Sequence, residues 1–371
     1  MYVAAKQSDL DLGETDEDED FSFPPAERRV ITQPLDLSVQ TLQEQWTTKQ
    51  LVLPEIQREY VWDNAKASRL IESLLLNIPI PVLYFAETEE AKYEIFDGHQ
   101  RVRSIVNYLG GVYPLSGLAV LREYRGLRYL ELPDREQRFL RMRTLRTILI
   151  SIDSHPNMKF EIYERLNTGS ISLNAQELRN SIYRGPFNDL LHELANLPGF
   201  RALIGTKSLR KRMVDEEAIL RFFAMRERLG TYKTPLKKFL NEYMASVRSA
   251  DAQQIAAYRD TFSQTIDRAS ALLGHSAFRV LGPNGEPSET AVNRSLLEAQ
   301  LLACSWIVGP QLPSANSVKR HIASLFRDET FTDAVQRATG DRSRTLKRAR
   351  DTVAAFRDAG AGVHVPHNLN Q

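Results

Sequence analysis

The hydrophobic residues in the first half of the chain follow two periods, one typical of strands and one typical of helices. Apolar residues at three- and four-residue spacing predict a helix that begins near Asp63 and a second that begins at Gln100 and ends at Gly110. Short apolar runs bounded by turn residues predict four strands, at 51–53 and in "PVLYFAE", "KYEIF" and "TLRTILISID". Residues 29–170 are therefore expected to form a small α+β domain.

The second half of the chain carries almost no strand pattern. Pro156 suits the first turn of a helix, and Asn174 with Glu177 three residues later matches a capping box at the start of another. The segments that follow repeat apolar residues with helical spacing. The pattern predicts an all-helical domain over residues 171–355, with tails at 1–28 and 356–371.

Composition excludes several classes of protein. The chain has 371 residues, of which 42% are hydrophobic and 26% charged, as expected for a globular protein. The apolar runs are too short to cross a bilayer, and the first residues do not resemble a secretion signal, so a cytoplasmic location without membrane association is expected. The one cysteine, Cys304, excludes a disulfide framework and is predicted to pack in a core.

The charge is unevenly distributed although the net charge is only +1. Residues 9–20 are strongly acidic and predict a solvated tail, whereas residues 207–212 and 342–350 are strongly basic. Basic clusters of this kind bind nucleic-acid phosphates, although a solvated helix face has the same composition. The candidate DNA-binding residues are Lys207, Arg210, Lys211 and Arg212.

The stretch "YEIFDGHQRVRSI" places an acid and a glycine where a predicted strand becomes a predicted helix. The first N–H groups of a helix have no partner within the helix and favour an anion, commonly a phosphate. Gly98 has no side chain and so allows a phosphate to approach the backbone closely. Arg101 can donate two parallel hydrogen bonds to phosphate oxygens, and Asp97 can hold Mg²⁺ or orient water. Asp97 could equally serve as a helix cap, with Arg101 solvated at the surface.

Two further clusters combine polar and aromatic residues at predicted turns. "PEIQREYVWD" places Gln57, Arg58 and Trp62 just before a helix, a combination that suits an anion or a base ring. "YERLNTGSISLNAQELR" places Asn167 and Gly169 after a helix end. The first cluster also fits a structural role, with Trp62 anchored in the core and Arg58 in a surface ion pair. The second cluster also fits a simple end of a helix.

The three clusters, in this order, resemble the N-terminal-domain family of the GmrSD-type restriction endonucleases, a ParB-like group. The likeness runs to about residue 250 and continues more loosely through "NRSLLEAQLLACSW". It implies a ParB/sulfiredoxin-like fold followed by a helical region, and hydrolysis of a nucleoside triphosphate (GTP, ATP or CTP, with Mg²⁺) coupled to restriction of DNA.

The resemblance also implies roles for individual residues. The catalytic residues would be Asp97, Gln100 and Arg101, with Asp97 also the metal ligand. The nucleotide-binding residues would be Gln57, Arg58, Trp62, Gly98, His99, Asn167 and Gly169. His99 stands where the family has glutamine, so the nucleotide and its rate of hydrolysis are left open.

Many relatives carry a separate HNH-type nuclease domain, and its pattern is not found here. The late histidines, at 275, 321, 364 and 367, are scattered through predicted helices and the tail. If DNA is cut, a partner nuclease subunit does it or the ParB-like domain nicks it directly. A non-catalytic DNA-binding or regulatory module is the alternative. ParB-like relatives also imply self-association as a homodimer.

Overall fold

The computed structural model describes residues 28–53, 60–166, 174–205, 213–337 and 340–365. These residues form two compact units, an N-terminal unit that ends at residue 166 and a C-terminal unit that begins at residue 174. The predicted domain boundary near residue 170 lies outside the described residues.

The described residues of the N-terminal unit combine five strands with five α-helices and two short 3-10 helices, so the predicted α+β class is confirmed. Its elements are β1 (Thr32–Ser38), α1 (Val39–Thr47), β2 (Leu51–Val52), α2 (Asn64–Leu75), β3 (Leu83–Glu87), β4 (Tyr93–Asp97), α3 (His99–Leu109), α4 (Asp134–Met142), β5 (Thr144–Ile150) and α5 (Pro156–Leu166).

The five strands form one mixed sheet in the order β1-β5-β3-β4-β2. β1 pairs antiparallel with β5, β5 parallel with β3, β3 antiparallel with β4, and β4 parallel with β2. β1 was not predicted from the sequence. It contains Pro34, which lacks an N–H donor, and its place at the sheet edge accommodates that residue.

One face of the sheet carries the core of this unit. Leu83, Phe85 and Ile95 are fully buried there and share a cluster with apolar residues of α1, α2, α3 and α4. Successive strand residues point to opposite faces, so Phe96 faces away from that core. Its ring contacts Tyr163 of α5, with the ring centroids 3.9 Å apart. The strand that ends at Asp97 is thus held from both sides.

Glu72, a buried carboxylate on α2, anchors the loop that follows α3. Its Oε1 accepts hydrogen bonds from the N–H groups of Val120 (2.7 Å) and Leu121 (2.8 Å), and its Oε2 accepts from Ala119 (3.1 Å). Burial alone would raise the pKa of Glu72, but these three donors and Arg69 outweigh it, so the pKa lies below its ordinary value.

We therefore expect Glu72→Gln to lower the free energy of unfolding by about 1–3 kcal/mol at pH 7, because an amide supplies one acceptor oxygen and turns an N–H towards a donor. The contribution of Glu72 is present above its unfolded pKa and is lost as the pH falls through the lower, folded pKa. Urea denaturation at pH 7 and pH 4 measures both effects. Equal losses at the two pH values would contradict the anchoring role.

The described residues of the C-terminal unit form ten α-helices, two short 3-10 helices and only two isolated strand bridges, which confirms the predicted helical region. The helices are α6 (Ala175–Ile182), α7 (Pro186–Ala195), α8 (Pro198–Ile204), α9 (Val214–Arg228), α10 (Leu236–Val247), α11 (Ala252–Leu273), α12 (Arg294–Ser305), α13 (Ala315–Leu325), α14 (Glu329–Gln336) and α15 (Arg342–Asp358).

Two local predictions in this unit are confirmed. Asn174 and Glu177 form the predicted capping box at the start of α6, with Asn174 Oδ1 accepting from the Glu177 N–H at 2.8 Å and Glu177 Oε2 from the Asn174 N–H at 2.7 Å. Cys304 is fully buried in the helical core, and burial raises the pKa of its thiol to about 12. It is therefore a packing residue.

Among the described helices, none combines the length and apolar character that crossing a bilayer requires.

Candidate functional site

The corner between β4 and α3 depends on glycine. Gly98 is the N-cap of α3 and has φ 97° and ψ 12°, a left-handed conformation that other residues rarely adopt. A Cβ atom at this position would also collide with the side chain of Leu83. Gly98 offers no side-chain cap, so the helix begins without the Asp97 cap that was the alternative interpretation of the sequence. The corner matches the backbone of an anion-binding helix start.

Arg101 is held by the protein in this conformation. Its Nη2 donates to Asp97 Oδ2 at 2.7 Å and to the Val82 carbonyl at 3.3 Å, and its Nη1 donates to the Pro81 carbonyl. Burial lowers the pKa of Arg101 and the neighbouring Asp97 raises it, with a net lowering. Arg101 thus ties α3 to the start of β3. The predicted contact between Arg101 and phosphate stays a prediction. That contact would need N–H groups of Arg101 other than those that bind Asp97, Pro81 and Val82.

Gln100 joins the corner to the arginine-aromatic segment, which is the stretch "PEIQREYVWD" that precedes α2. Its Oε1 accepts from the backbone N–H groups of Val61 (3.2 Å) and Trp62 (3.3 Å), which fixes the orientation of the amide. Its Nε2 therefore donates to His99 Nε2 at 2.8 Å. With this orientation His99 carries its proton on Nδ1. Two motifs that are separated in sequence meet here through one side chain.

Hydrogen bonds and ring contacts support the same junction. Tyr60 Oη lies 2.8 Å from Oγ of the buried Ser104, which itself donates to the Gln100 carbonyl at 2.7 Å. The Arg103 guanidinium lies 5.5 Å from the centre of the Tyr60 ring. Trp62 packs its ring against the core, with the Lys66 ammonium 4.8 Å from the ring centre. The aromatic residues of this cluster are thus partly structural, as the alternative interpretation proposed for Trp62.

The third cluster approaches the corner through α5. Tyr163 contacts Phe96, the residue before Asp97 on β4. Helix α5 ends at Leu166, the residue before the predicted site residue Asn167 in the sequence. Near that end, Arg165 donates to Glu161 at 2.7 Å. The described part of the first motif and the start of the third, at Tyr163, therefore lie near the second motif at the end of β4.

Several predicted site residues lie outside the described residues. They are Gln57, Arg58, Asn167 and Gly169 of the nucleotide site, and Lys207, Arg210, Lys211 and Arg212 of the basic cluster.

A metal ion at this corner would have few protein ligands. Within the described ranges no group of three His, Cys, Asp or Glu side chains is arranged to hold a metal. Asp97 uses Oδ2 for Arg101, and its side chain is 44% exposed. Magnesium often takes one or two carboxylates together with phosphate oxygens and water, so a single Asp97 oxygen fits Mg²⁺ bound with a nucleotide.

The basic cluster at 342–350 is largely neutralised within the protein. On α15, Arg344 pairs with Asp333 at 2.8 Å, and Lys347 pairs with Asp328 at 3.0 Å and Asp351 at 2.9 Å. Hydrogen bonds from Thr330 and Lys347 lower the pKa of Asp328 to about 2. An open groove of about 450 Å³ lies over these pairs. The charges that line this groove are therefore compensated locally.

One buried carboxylate near the corner was missed from the sequence. Glu94 on β4 is only 4% exposed and faces the same side of the sheet as Phe96. The available signal was a charged residue at an inner position of the predicted strand "KYEIF". Burying a carboxylate costs free energy, so Glu94 is a candidate functional residue next to the corner.

Comparison with known families finds a match over the N-terminal unit and the start of the C-terminal unit. Residues 39–184 match a family model described as GmrSD restriction endonuclease, N-terminal domain. The matched range begins at α1, ends just after α6 and contains all three motifs. No curated protein sequence and no solved structure matches the chain significantly.

Proposed function

We propose that the chain is a restriction- or defence-related protein whose residues 39–184, which match the GmrSD restriction endonuclease N-terminal domain family, form a ParB-like domain that binds and hydrolyses a nucleoside triphosphate. The hydrolysis serves restriction of DNA, carried out by a partner nuclease subunit or by the domain itself. Self-association as a homodimer belongs to the same proposal.

One observation carries the nucleotide proposal: Gln100 binds the backbone at Val61 and Trp62 while it lies in the first turn of α3. The family motif thus forms a physical link between the helix start and the arginine-aromatic segment. The uncapped Gly98 corner supplies the backbone for phosphate. A site built in this way can respond to a ligand, because movement of the helix start also moves the segment that precedes α2.

The proposed roles follow from the contacts. The amides that follow Gly98 receive phosphate oxygens, and the free oxygen of Asp97 holds Mg²⁺ or orients the attacking water. Arg101 positions Asp97 and the start of β3, and we assign its remaining N–H donors to phosphate oxygens. His99 lies beside the nucleotide, and Gln100 couples ligand binding to Trp62.

A thermal-shift panel with GTP, ATP and CTP, each with Mg²⁺, tests binding, because a ligand that binds only the folded protein raises its melting temperature. Phosphate release, with and without DNA, tests hydrolysis, and nicking of a plasmid tests direct cleavage. A shift without phosphate release would favour the regulatory module. The absence of any shift at millimolar nucleotide would contradict the proposal.

The variant Asp97→Asn separates catalysis from binding. An amide oxygen can still accept from Arg101, whereas the charge that holds the metal is lost. We expect phosphate release to fall at least tenfold, on the scale of losing a group that orients water or metal, while the nucleotide-induced shift persists without Mg²⁺. Asp153→Asn, at an exposed position before α5, is the control and keeps full activity. Full activity in Asp97→Asn would exclude the metal role. Arg101→Ala is a less selective test, because it also removes the contacts to Pro81 and Val82.

A further inference from the structure

We propose that α4 binds the phosphate backbone of double-stranded DNA through a surface formed by Arg135, Arg138, Arg141, Phe139 and Met142, here called the arginine face. The inference rests on the proposed function for the identity of the anionic partner, and it goes beyond the basic clusters that the sequence singled out.

The arginine face is the outward side of a short amphipathic helix. Leu140 is fully buried, whereas all five residues of the arginine face are exposed. The three arginines recur at three-residue spacing and therefore lie next to one another along the helix. They cover roughly 9 Å of helix length at 1.5 Å per residue. A DNA strand advances about 3.4 Å per phosphate along its axis, so the three guanidiniums span two or three phosphates.

The three guanidiniums are not neutralised by neighbouring carboxylates. In the part of the chain that the structure describes, none of the three forms an ion pair. Arg135 lies over the Phe139 ring at 5.2 Å and Arg141 over the Tyr129 ring at 5.4 Å. Ring contacts orient a guanidinium while leaving its charge uncompensated. This distinguishes α4 from α15, whose arginine and lysine pair with acids.

The shape and composition of the surface favour a polymer over a small anion. The three guanidiniums lie in a row along the exposed side of one helix, which suits the row of phosphates on a polymer. Phe139 is 43% and Met142 75% exposed beside them, and such apolar groups suit deoxyribose and base edges. Between Arg122 and Arg143 the chain has seven arginines, four acidic residues and no lysine. Arginine forks onto phosphate oxygens more effectively than lysine.

The test is DNA binding by the full chain carrying Arg135→Gln, Arg138→Gln and Arg141→Gln, measured by fluorescence anisotropy with a labelled 30-base-pair duplex from 50 to 200 mM salt. We expect affinity to fall at least tenfold at low salt. The slope of log affinity against log salt should decrease in magnitude by roughly 3, about 0.9 per lost phosphate contact. The corresponding triple lysine variant keeps the charge and recovers most of the slope.

A charge-matched control carries Arg29→Gln, Lys49→Gln and Lys233→Gln, three exposed positions in loops and turns away from α4, and keeps the wild-type slope. The melting temperature and the nucleotide-induced shift of the α4 variant stay at wild-type values, which separates this inference from the nucleotide proposal. Unchanged DNA binding in the α4 variant would overturn the arginine face alone. If the wild-type chain binds no DNA at 50 mM salt, the arginine face and the DNA part of the proposed function are both wrong. The nucleotide part is tested separately, by the nucleotide-induced change in melting temperature.

Discussion

Replacing Gly98 with alanine is expected to lower the free energy of unfolding by about 2–4 kcal/mol and to abolish the nucleotide-induced thermal shift. The first part of the loss comes from φ 97°, which costs a residue with a Cβ atom about 1–2 kcal/mol. The remainder comes from the collision with the buried Leu83, since overpacking a core costs about 1–3 kcal/mol. Relief of the collision requires the helix start to move, which displaces the amides proposed to bind phosphate.

Gly111 provides the matched control, because it follows the same helix and also has a positive φ, 69°, but a Cβ atom there would meet nothing within 4 Å. Gly111→Ala should therefore show the conformational cost alone, about 1 kcal/mol, and keep the nucleotide-induced shift. Chemical denaturation and the thermal-shift panel on both variants measure the two effects. Equal behaviour of the variants would show that the corner has no special role.

The sequence predicted those elements whose signals are local. Asp63 caps α2 with its Oδ1 2.7 Å from the Lys66 N–H, and the capping box at Asn174 forms as expected. Strand runs bounded by turn residues located β3, β4 and β5, because buried strands show continuous apolar stretches. The D-G corner was located for the same reason: a strand end, a glycine and a helix period are adjacent in the chain.

What could not be predicted depends on partners distant in sequence. β1 lacks a clear alternating pattern and is stabilised as a strand by pairing with β5, more than a hundred residues later. α4 was missed because its outward face carries Phe139 and Met142, which obscures the usual apolar period. Arg101 donates hydrogen bonds to the carbonyls of Pro81 and Val82 because β3 and α3 pack side by side. The sequence alone does not show this packing, so it predicted an arginine available to phosphate or solvent.

The second large effect is expected at a buried ionic network in the C-terminal unit. Glu217 on α9 accepts from Arg179 Nη1 at 3.1 Å through Oε2 and from Arg221 Nη2 at 2.8 Å through Oε1. Arg179 is 1% exposed and also donates to Asn241 Oδ1 at 2.9 Å. Burial alone would raise the pKa of Glu217, but Arg221, Arg179 and Arg294 outweigh it and lower the pKa to about 2.

We expect Glu217→Gln to lower the free energy of unfolding by about 3–5 kcal/mol at pH 7, because it removes the buried negative charge that both guanidiniums contact. The pKa shift agrees in size, since a folded pKa of about 2 against an ordinary 4.5 corresponds to about 3 kcal/mol. This stability is fully present above pH 4.5 and is lost as the pH falls towards 2. The variant should therefore show a flatter loss of stability over that acid range than the wild type.

The exposed pair between Glu193 and Arg259 supplies the comparison within the same unit. Its two hydrogen bonds, at 2.7 and 2.8 Å, are as short as those of Glu217, but both side chains are about half exposed. Glu193→Gln should cost less than about 1 kcal/mol, because water already solvates the separated charges. Urea denaturation of the two variants from pH 3 to pH 7 measures the difference. A similar cost in both would mean that burial does not govern the network, whereas a large cost only at Glu217 identifies α6, α9 and α10 as held together by buried charge.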